Sequence, residues 1–225
     1  MKLSVIVPVY NERTTLPALL QQVLASPYPK EVLVVDDGST DGTSELLQAS
    51  QTAEVRVLHH PHNRGKGAAL RTGLAQASGD VVLFQDADLE YDPQDYPLLV
   101  EPIREGKASV VYGYRRWERQ GPFYPLPYYA NRFLTLLTNL LYGARLKDME
   151  VCYKAFRADV IKGLALRANR FDIEPEVTAR VLRAGYPILQ APIRYHPRGL
   201  REGKKIGWRD GFAAVATLVR CRWGR

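Results

Sequence analysis

Cysteine is scarce in this chain, with only Cys152 and Cys221 among 225 residues. Two thiols so far apart form neither a disulfide framework nor a cysteine-based metal cage, which fits a reducing compartment. Long apolar runs are missing as well. No stretch approaches the about 18 uninterrupted apolar residues of a spanning helix, so any membrane contact is expected to be peripheral. The chain opens directly on Leu3-Ser4-Val5-Ile6-Val7 without a basic-then-apolar leader, and no signal peptide is expected. The dinucleotide Gly-x-Gly-x-x-Gly fingerprint is absent, which disfavours a nicotinamide enzyme. Basic residues are not gathered into one tract and no helix-turn-helix or zinc-finger pattern occurs, so nucleic acid is not expected as a partner. What remains is a chain long enough for one full core. Its formal charge of +7 suits an anionic partner such as a nucleotide, a phosphorylated acceptor or an acidic lipid surface.

Short apolar strands alternate with amphipathic helices through the first half. Strands are predicted over 3–7, 31–35, 55–58, 81–84 and 110–112. Helical stripes run through Leu16, Leu19, Leu20, Val23 and Leu24, through Glu45, Leu46 and Leu47, and through Ala68, Ala69, Leu70, Leu74 and Ala77. Thr14 or Thr15 is a candidate cap for the first helix, since Pro17 is tolerated only in a first turn. Near-continuous β-branched strands alternating with helices predict an α/β domain with a mostly parallel central sheet covered on both faces. Ligands in such sheets bind beyond the carboxyl ends of the strands. From about Trp117 the pattern changes to a Pro- and aromatic-rich loop, a helix over 128–142, a strand over 152–156, a helix over 174–184 and an extended segment over 188–195 broken by Pro192.

Acidic clusters stand at the ends of two of these strands. Val32-Leu33-Val34-Val35 runs into Asp36-Asp37-Gly38-Ser39-Thr40-Asp41-Gly42-Thr43. The glycines allow a tight turn, and Ser39 or Thr40 can cap the next helix. Two adjacent strand-end aspartates exceed what a turn needs and suit hydrogen bonds from a base or ribose. Val81-Val82-Leu83-Phe84 runs into Gln85-Asp86-Ala87-Asp88-Leu89-Glu90. Carboxylates at i and i+2 on extended chain point the same way, so Asp86 and Asp88 can converge on one hard cation, Mg²⁺ or Mn²⁺, bridging to substrate phosphates. Glu90 continues the series as a ligand, a water-mediated partner or a solvent-facing group.

Pro8-Val9-Tyr10-Asn11-Glu12 ends the first strand on the same edge. There Tyr10 can stack on a base, or the segment is a Pro-initiated turn with Glu12 near a helix N-terminus. Asn63-Arg64-Gly65-Lys66-Gly67 places cations and glycines where a helix opens, which suits phosphate or an ordinary solvated turn. In Asp148-Met149-Glu150 either carboxylate can face a reaction centre or pair with Arg145 or Lys147. The segment from Arg194 to Arg198, with Arg201-Glu202-Gly203-Lys204-Lys205, is either a phosphate clamp or a basic surface loop. His59, His60 and His62 match no zinc spacing.

In order and spacing, these segments together resemble family 2 glycosyltransferases with the GT-A fold, and more narrowly the dolichyl- or polyprenyl-phosphate mannosyltransferase branch. Asp148-Met149-Glu150-Val151-Cys152-Tyr153-Lys154, Arg170-Phe171-Asp172-Ile173-Glu174-Pro175-Glu176 and Pro192-Ile193-Arg194-Tyr195 extend the match across essentially the whole chain. The resemblance implies that Pro8, Tyr10, Glu12 and Asp37 line a nucleotide pocket shaped by Asp36. Lys66, Asp86, Ala87 and Asp88 then belong to the donor site, the aspartates holding the diphosphate through Mg²⁺ or Mn²⁺, mainly by Asp88. Glu90 stands where that branch commonly has Gln near the metal. Arg115 is expected to face a phosphate, with Arg132, Arg198 and Lys204 as further anion-holding candidates. Asp148 is expected as the acceptor-side carboxylate, and as the proton acceptor if the acceptor is an alcohol.

The implied reaction is inverting transfer of a hexose, mannose from GDP-mannose first, to a polyprenyl phosphate. The alternative is a UDP- or GDP-hexose and a soluble or saccharide hydroxyl. A sugar-phosphate nucleotidyltransferase is disfavoured by the missing Gly-rich, Lys-containing loop after the first strand. The expected division is donor binding over 1–115, acceptor binding over 116–211 and a basic, apolar tail over 212–225. The expected place is the cytoplasm, with peripheral contact to the membrane face.

Overall fold

The computed structural model describes residues 1–116, 125–197 and 208–224. Strands β1 (Leu3–Val9), β2 (Lys30–Asp36), β3 (Val55–His59), β4 (Val81–Phe84), β5 (Val110–Arg115), β6 (Lys154–Arg157) and β7 (Leu189–Ile193) form one sheet in the order β3-β2-β1-β4-β6-β5-β7. Helices α1 (Leu16–Ala25), α2 (Thr43–Ala49), α3 (Lys66–Gln76), α4 (Tyr96–Arg104), α5 (Pro125–Tyr142), α6 (Ala158–Gly163), α7 (Ile173–Arg183) and α8 (Trp208–Trp223) accompany it. The predicted strands all form. Val5, Ile6 and Val7 of β1 and Val32 to Val35 of β2 are fully buried, as expected of central strands covered on both faces. α3 lies directly on β1: a Cβ at Gly73 would come within 2.5 Å of Ile6 Cγ2.

The sheet is mixed rather than parallel throughout. β6 runs antiparallel to both β4 and β5, while β1, β2, β3, β4 and the β5–β7 pair are parallel. Hydrophobic periodicity reports which residues are buried, not the direction of travel, so this reversal was not legible. It has a consequence for the site. Because β6 is reversed, the residues entering it, Glu150 to Tyr153, lie at the same sheet edge as the carboxyl ends of β1, β2, β4 and β5. Pro192 does not break β7 because that strand is at the edge of the sheet, where a missing N–H is tolerated.

A second, smaller core joins α5, α7 and α8 through Leu134, Met149, Ala179, Ala214, Leu218 and Cys221. The segment read as a tail is therefore helical and packed on one side. Tyr142 donates to the Leu218 carbonyl at 2.7 Å, and Arg222 Nε to the Leu141 carbonyl at 2.8 Å. The other sides of α5 and α8 leave large apolar groups in solvent: Leu126, Tyr129, Phe133, Leu136 and Leu140 on α5, Phe212, Val219 and Trp223 on α8. No helix among the described residues is long and apolar enough to cross a membrane.

Candidate active site

The order of the strands reverses between the parallel β1 and β4, and a cavity of about 680 Å³ opens at their carboxyl ends, within the roughly 300–1,000 Å³ range of small-molecule sites. The donor-side wall is built by loops after β1 and β2. Asn11 adopts φ 54°. Its N–H donates to Ser39 Oγ at 3.0 Å and its Oδ1 accepts from Thr40 N at 2.8 Å, which ties the two loops together. Pro8, Tyr10, Glu12 and Asp37 all line the cavity. Asp36 does not. It is buried beneath the turn, accepting from Ser39 N at 3.0 Å and from Ser44 Oγ. Burial works against its charge, but those bonds and the one to His59 prevail and hold its pKa low. The expected caps are arranged differently: Gly42 precedes α2, and Thr15 Oγ1 donates to Glu12 Oε2 at 2.8 Å instead of capping α1.

Asp37 is a structural brace as much as a cavity wall. Its Oδ1 accepts from Arg64 N at 2.9 Å and lies 2.6 Å from His60 Nδ1, while Oδ2 accepts from Gly65 N at 2.7 Å. His60 is itself buried, with Nε2 2.9 Å from Thr72 Oγ1. Sequence reasoning looked at the histidines only for zinc spacing and so missed this brace. It delivers the 63–65 loop, and Lys66 at the start of α3, to the cavity.

The acidic turn after β4 departs from the expected geometry. Residues 86–90 are a turn, with Leu89 at φ 61° and Glu90 N donating to Asp88 Oδ1 at 3.2 Å. The alternation of an extended chain therefore does not bring Asp86 and Asp88 together. Asp86 is instead engaged by Lys66, whose Nζ lies 2.7 Å from Oδ1 and 3.0 Å from Oδ2. The same ammonium is 2.8 Å from Cys152 Sγ and 3.1 Å from Glu174 Oε1. Burial alone would weaken the Lys66 ammonium, but this acidic surrounding raises its pKa well above the ordinary value. Ala87, Asp88 and Glu90 line the cavity beside this pair.

Among the described residues no three His, Cys, Asp or Glu side chains form a ready-made metal cage. Mg²⁺ and Mn²⁺ do not require one, because they bind through one or two carboxylates plus substrate phosphates. With Asp86 neutralised by Lys66, Asp88 and Glu90 fit a cation shared with a diphosphate, not a cation enclosed by protein.

Across the cavity Arg115, at the end of β5, meets Asp148 in a forked pair: Nε to Oδ2 at 2.7 Å and Nη2 to Oδ1 at 2.9 Å. Asn131 of α5 adds a bond to Oδ1 at 2.9 Å, and the guanidinium carbon sits 5.2 Å from the centre of the Tyr195 ring. Burial would raise the Asp148 pKa, but Arg115 and these hydrogen bonds outweigh it and hold the carboxyl below its ordinary value. This corrects the expectation that Asp148 takes a proton: both oxygens are occupied and the group is a weakened base. Arg132 is on the exposed side of α5 and does not line the cavity. Arg198 and Lys204 lie outside the described residues.

Glycosyl transferase family 2 matches residues 4–164 of this chain. An undecaprenyl-phosphate mannosyltransferase from Micrococcus luteus is 31% identical over 100% of the chain and 94% of its own length. The chain belongs to glycosyl transferase family 2. Another relative, the undecaprenyl-phosphate 4-deoxy-4-formamido-L-arabinose transferase of Serratia proteamaculans, is 33% identical over 72% of the chain, which covers only 51% of that protein. Among solved structures, glucosyl-3-phosphoglycerate synthase from Mycobacterium tuberculosis, in complex with Mn²⁺, UDP and phosphoglyceric acid, superposes with a TM-score of 0.76 over 99% of the chain and 78% of its own, at 24% identity. The fold is thus GT-A. As a family 2 member the chain is a nucleotide-sugar-dependent glycosyltransferase, related to polyprenyl-phosphate transferases and sharing the fold of glucosyl-3-phosphoglycerate synthase.

Proposed function

We propose that this glycosyltransferase moves a hexosyl group from a UDP- or GDP-hexose to a soluble, hydroxyl-bearing acceptor that carries its own anionic group. The observation that carries the reading is the single cavity in which the nucleotide-side loops, the Asp88–Glu90 turn and the Arg115–Asp148 pair face one another. Tyr10 and Asp37 bracket the base and ribose. Lys66 and the opening turn of α3 face the diphosphate, and a helix N-terminus favours such an anion. Asp88 and Glu90 are the residues to hold Mg²⁺ or Mn²⁺, which when bound neutralises the nucleoside diphosphate as its bond to the sugar breaks. Arg115, oriented by Asp148, offers a fixed positive face for the acceptor's anion. Displacement from the face opposite the diphosphate inverts the anomeric centre. The Mycobacterium tuberculosis structure, with UDP, Mn²⁺ and phosphoglyceric acid on the same fold, supports a soluble anionic acceptor.

A second acceptor, polyprenyl phosphate, has its own support. The full-length Micrococcus luteus relative is named for it, and the exposed apolar stripe of α5 begins at Leu126, which also lines the cavity. Calorimetry with UDP- and GDP-hexoses tests the donor site. Binding is expected to require Mg²⁺ or Mn²⁺ in the wild type and to be lost in Asp88→Asn, whereas unchanged affinity in a chelator removes the metal from the reading. Product mass analysis with 3-phosphoglycerate and with a short polyprenyl phosphate then separates the acceptors. Transfer confined to the lipid phosphate would replace the first acceptor by the second.

A further inference from the structure

We propose that Glu150 is the catalytic residue that takes the proton from the acceptor hydroxyl, an inference that rests on the hydroxyl-acceptor reading above. Glu150 enters β6 and lines the same cavity as Asp88, Arg115 and Lys66. Its Oε1 is buried and has no hydrogen-bond partner among the described residues. A structural carboxylate in such a place is normally paired, because an unmet buried acceptor costs stability.

Its acidic neighbours are paired. Asp148 is forked to Arg115 and bonded to Asn131. Glu174 is held by Lys154 and Lys66, Asp86 by Lys66, and Asp37 by His60 and two backbone N–H groups. Glu174 Oε1 also lacks a hydrogen bond but keeps the Lys66 ammonium at 3.1 Å, whereas Glu150 Oε1 in the same cavity wall has no ion-pair partner among the described residues.

The charged groups that act on it come from four elements: Lys154 on β6, Glu174 on α7, Arg115 on β5 and Asp148 on the preceding loop. Burial raises its pKa first, Lys154 and Arg115 pull it down, Glu174 and Asp148 push it up, and the balance is about 7. A base is most effective when its pKa lies near the working pH.

In the step, the acceptor O–H proton passes to the Glu150 carboxylate as the acceptor oxygen bonds to the anomeric carbon. The bond from that carbon to the diphosphate oxygen breaks, and its electron pair leaves with the nucleoside diphosphate. A phosphate acceptor has no such proton to give, so the role is specific to a hydroxyl.

The test is steady-state kinetics of wild type, Glu150→Gln and Glu150→Asp from pH 5.5 to 9, with a UDP- or GDP-hexose, saturating Mn²⁺ and either 3-phosphoglycerate or water as acceptor. Nucleotide affinity by calorimetry and thermal melts accompany it. Wild-type kcat is expected to rise with pH through about 7. Glu150→Gln is expected to lose about 100-fold or more in kcat, together with that rising limb, at unchanged nucleotide affinity. Glu150→Asp is expected to retain the limb at reduced rate. Wild-type kcat and an unaltered pH profile in Glu150→Gln would overturn the assignment while leaving hydroxyl transfer standing. A wild type that turns over lipid phosphate but neither 3-phosphoglycerate nor water would overturn the acceptor reading and the proton step together. If Glu150→Gln fails to fold, carboxyl NMR of the ¹³C-labelled wild type decides: a Glu150 signal titrating near 7 supports the assignment, and one titrating in the ordinary carboxylate range overturns it.

Discussion

At the level of single residues, the two carboxyls of the Asp148–Glu150 segment have been driven in opposite directions by neighbours less than one strand away. Asp148 is buried against a guanidinium and is stabilised as the anion. Its contribution to stability is present above the ordinary carboxylate pKa and is lost as pH falls through the lowered folded value. Asp148→Ala leaves the Arg115 charge buried without its partner, which typically costs about 3–5 kcal/mol, and denaturant melts at pH 7 should show a loss of that order. Glu150 behaves in reverse. Its pKa is raised from 4.5 to about 7, so the folded state gains from its protonated form at low pH and loses that gain as pH rises through about 7. Glu150→Gln is therefore expected to melt higher than wild type at pH 8.5, by up to about 3 kcal/mol of stability, with the difference vanishing near pH 4. Equal melting at both pH values would show that burial does not penalise this carboxylate. The sequence marked both residues as candidates but could not rank them, because the ranking depends on Arg115, which is remote in the chain.

At the level of elements, the loop into α3 shows how a turn is made into a binding wall. Gly65 has φ 96°, and a Cβ there would run into the Asn169 carbonyl oxygen. The loop is held from the other side by Asp37 and His60. Gly65→Ala should raise the donor Kd by roughly tenfold or more, the equivalent of about 1–3 kcal/mol of backbone strain. Titration calorimetry measures it, and an unchanged Kd would free this loop from the donor site. The strands were legible because β-branched runs have few other uses, and both acidic clusters were legible as strand-end features. The turn at Leu89 was not legible, since nothing in Asp86-Ala87-Asp88-Leu89-Glu90 announces a positive φ. Nor was the pairing of Lys66 with Asp86, which needs α3 and β4 side by side. α8 was missed as a packed helix because its buried apolar stripe is short, and its last member, Cys221, stands between Arg220 and Arg222.

At the level of the whole molecule, the exposed stripe of α5 lies beside α8 and ends at the cavity. Leu136 and Leu140 are 57% and 74% exposed, so replacing both with Gln should leave the fold intact. If the polyprenyl-phosphate reading holds, wild type is expected to sediment with vesicles rich in phosphatidylglycerol, and the double variant to lose most of that binding. Equal recovery of both in the supernatant would leave the stripe without a lipid role.

The chain's own pattern of buried β-branched strands, strand-end acids and a net positive charge was enough to define an α/β enzyme for an anionic, nucleotide-linked substrate. Those properties are written in local order, and local order survives in one dimension. The strand reversal at β6, the capture of Asp86 by Lys66 and the opposite fates of Asp148 and Glu150 belong to the folded molecule. Each depends on which distant charge arrives within a few ångströms of which carboxylate after water has been excluded, and electrostatic energy at that range is set by separation and burial rather than by position in the chain.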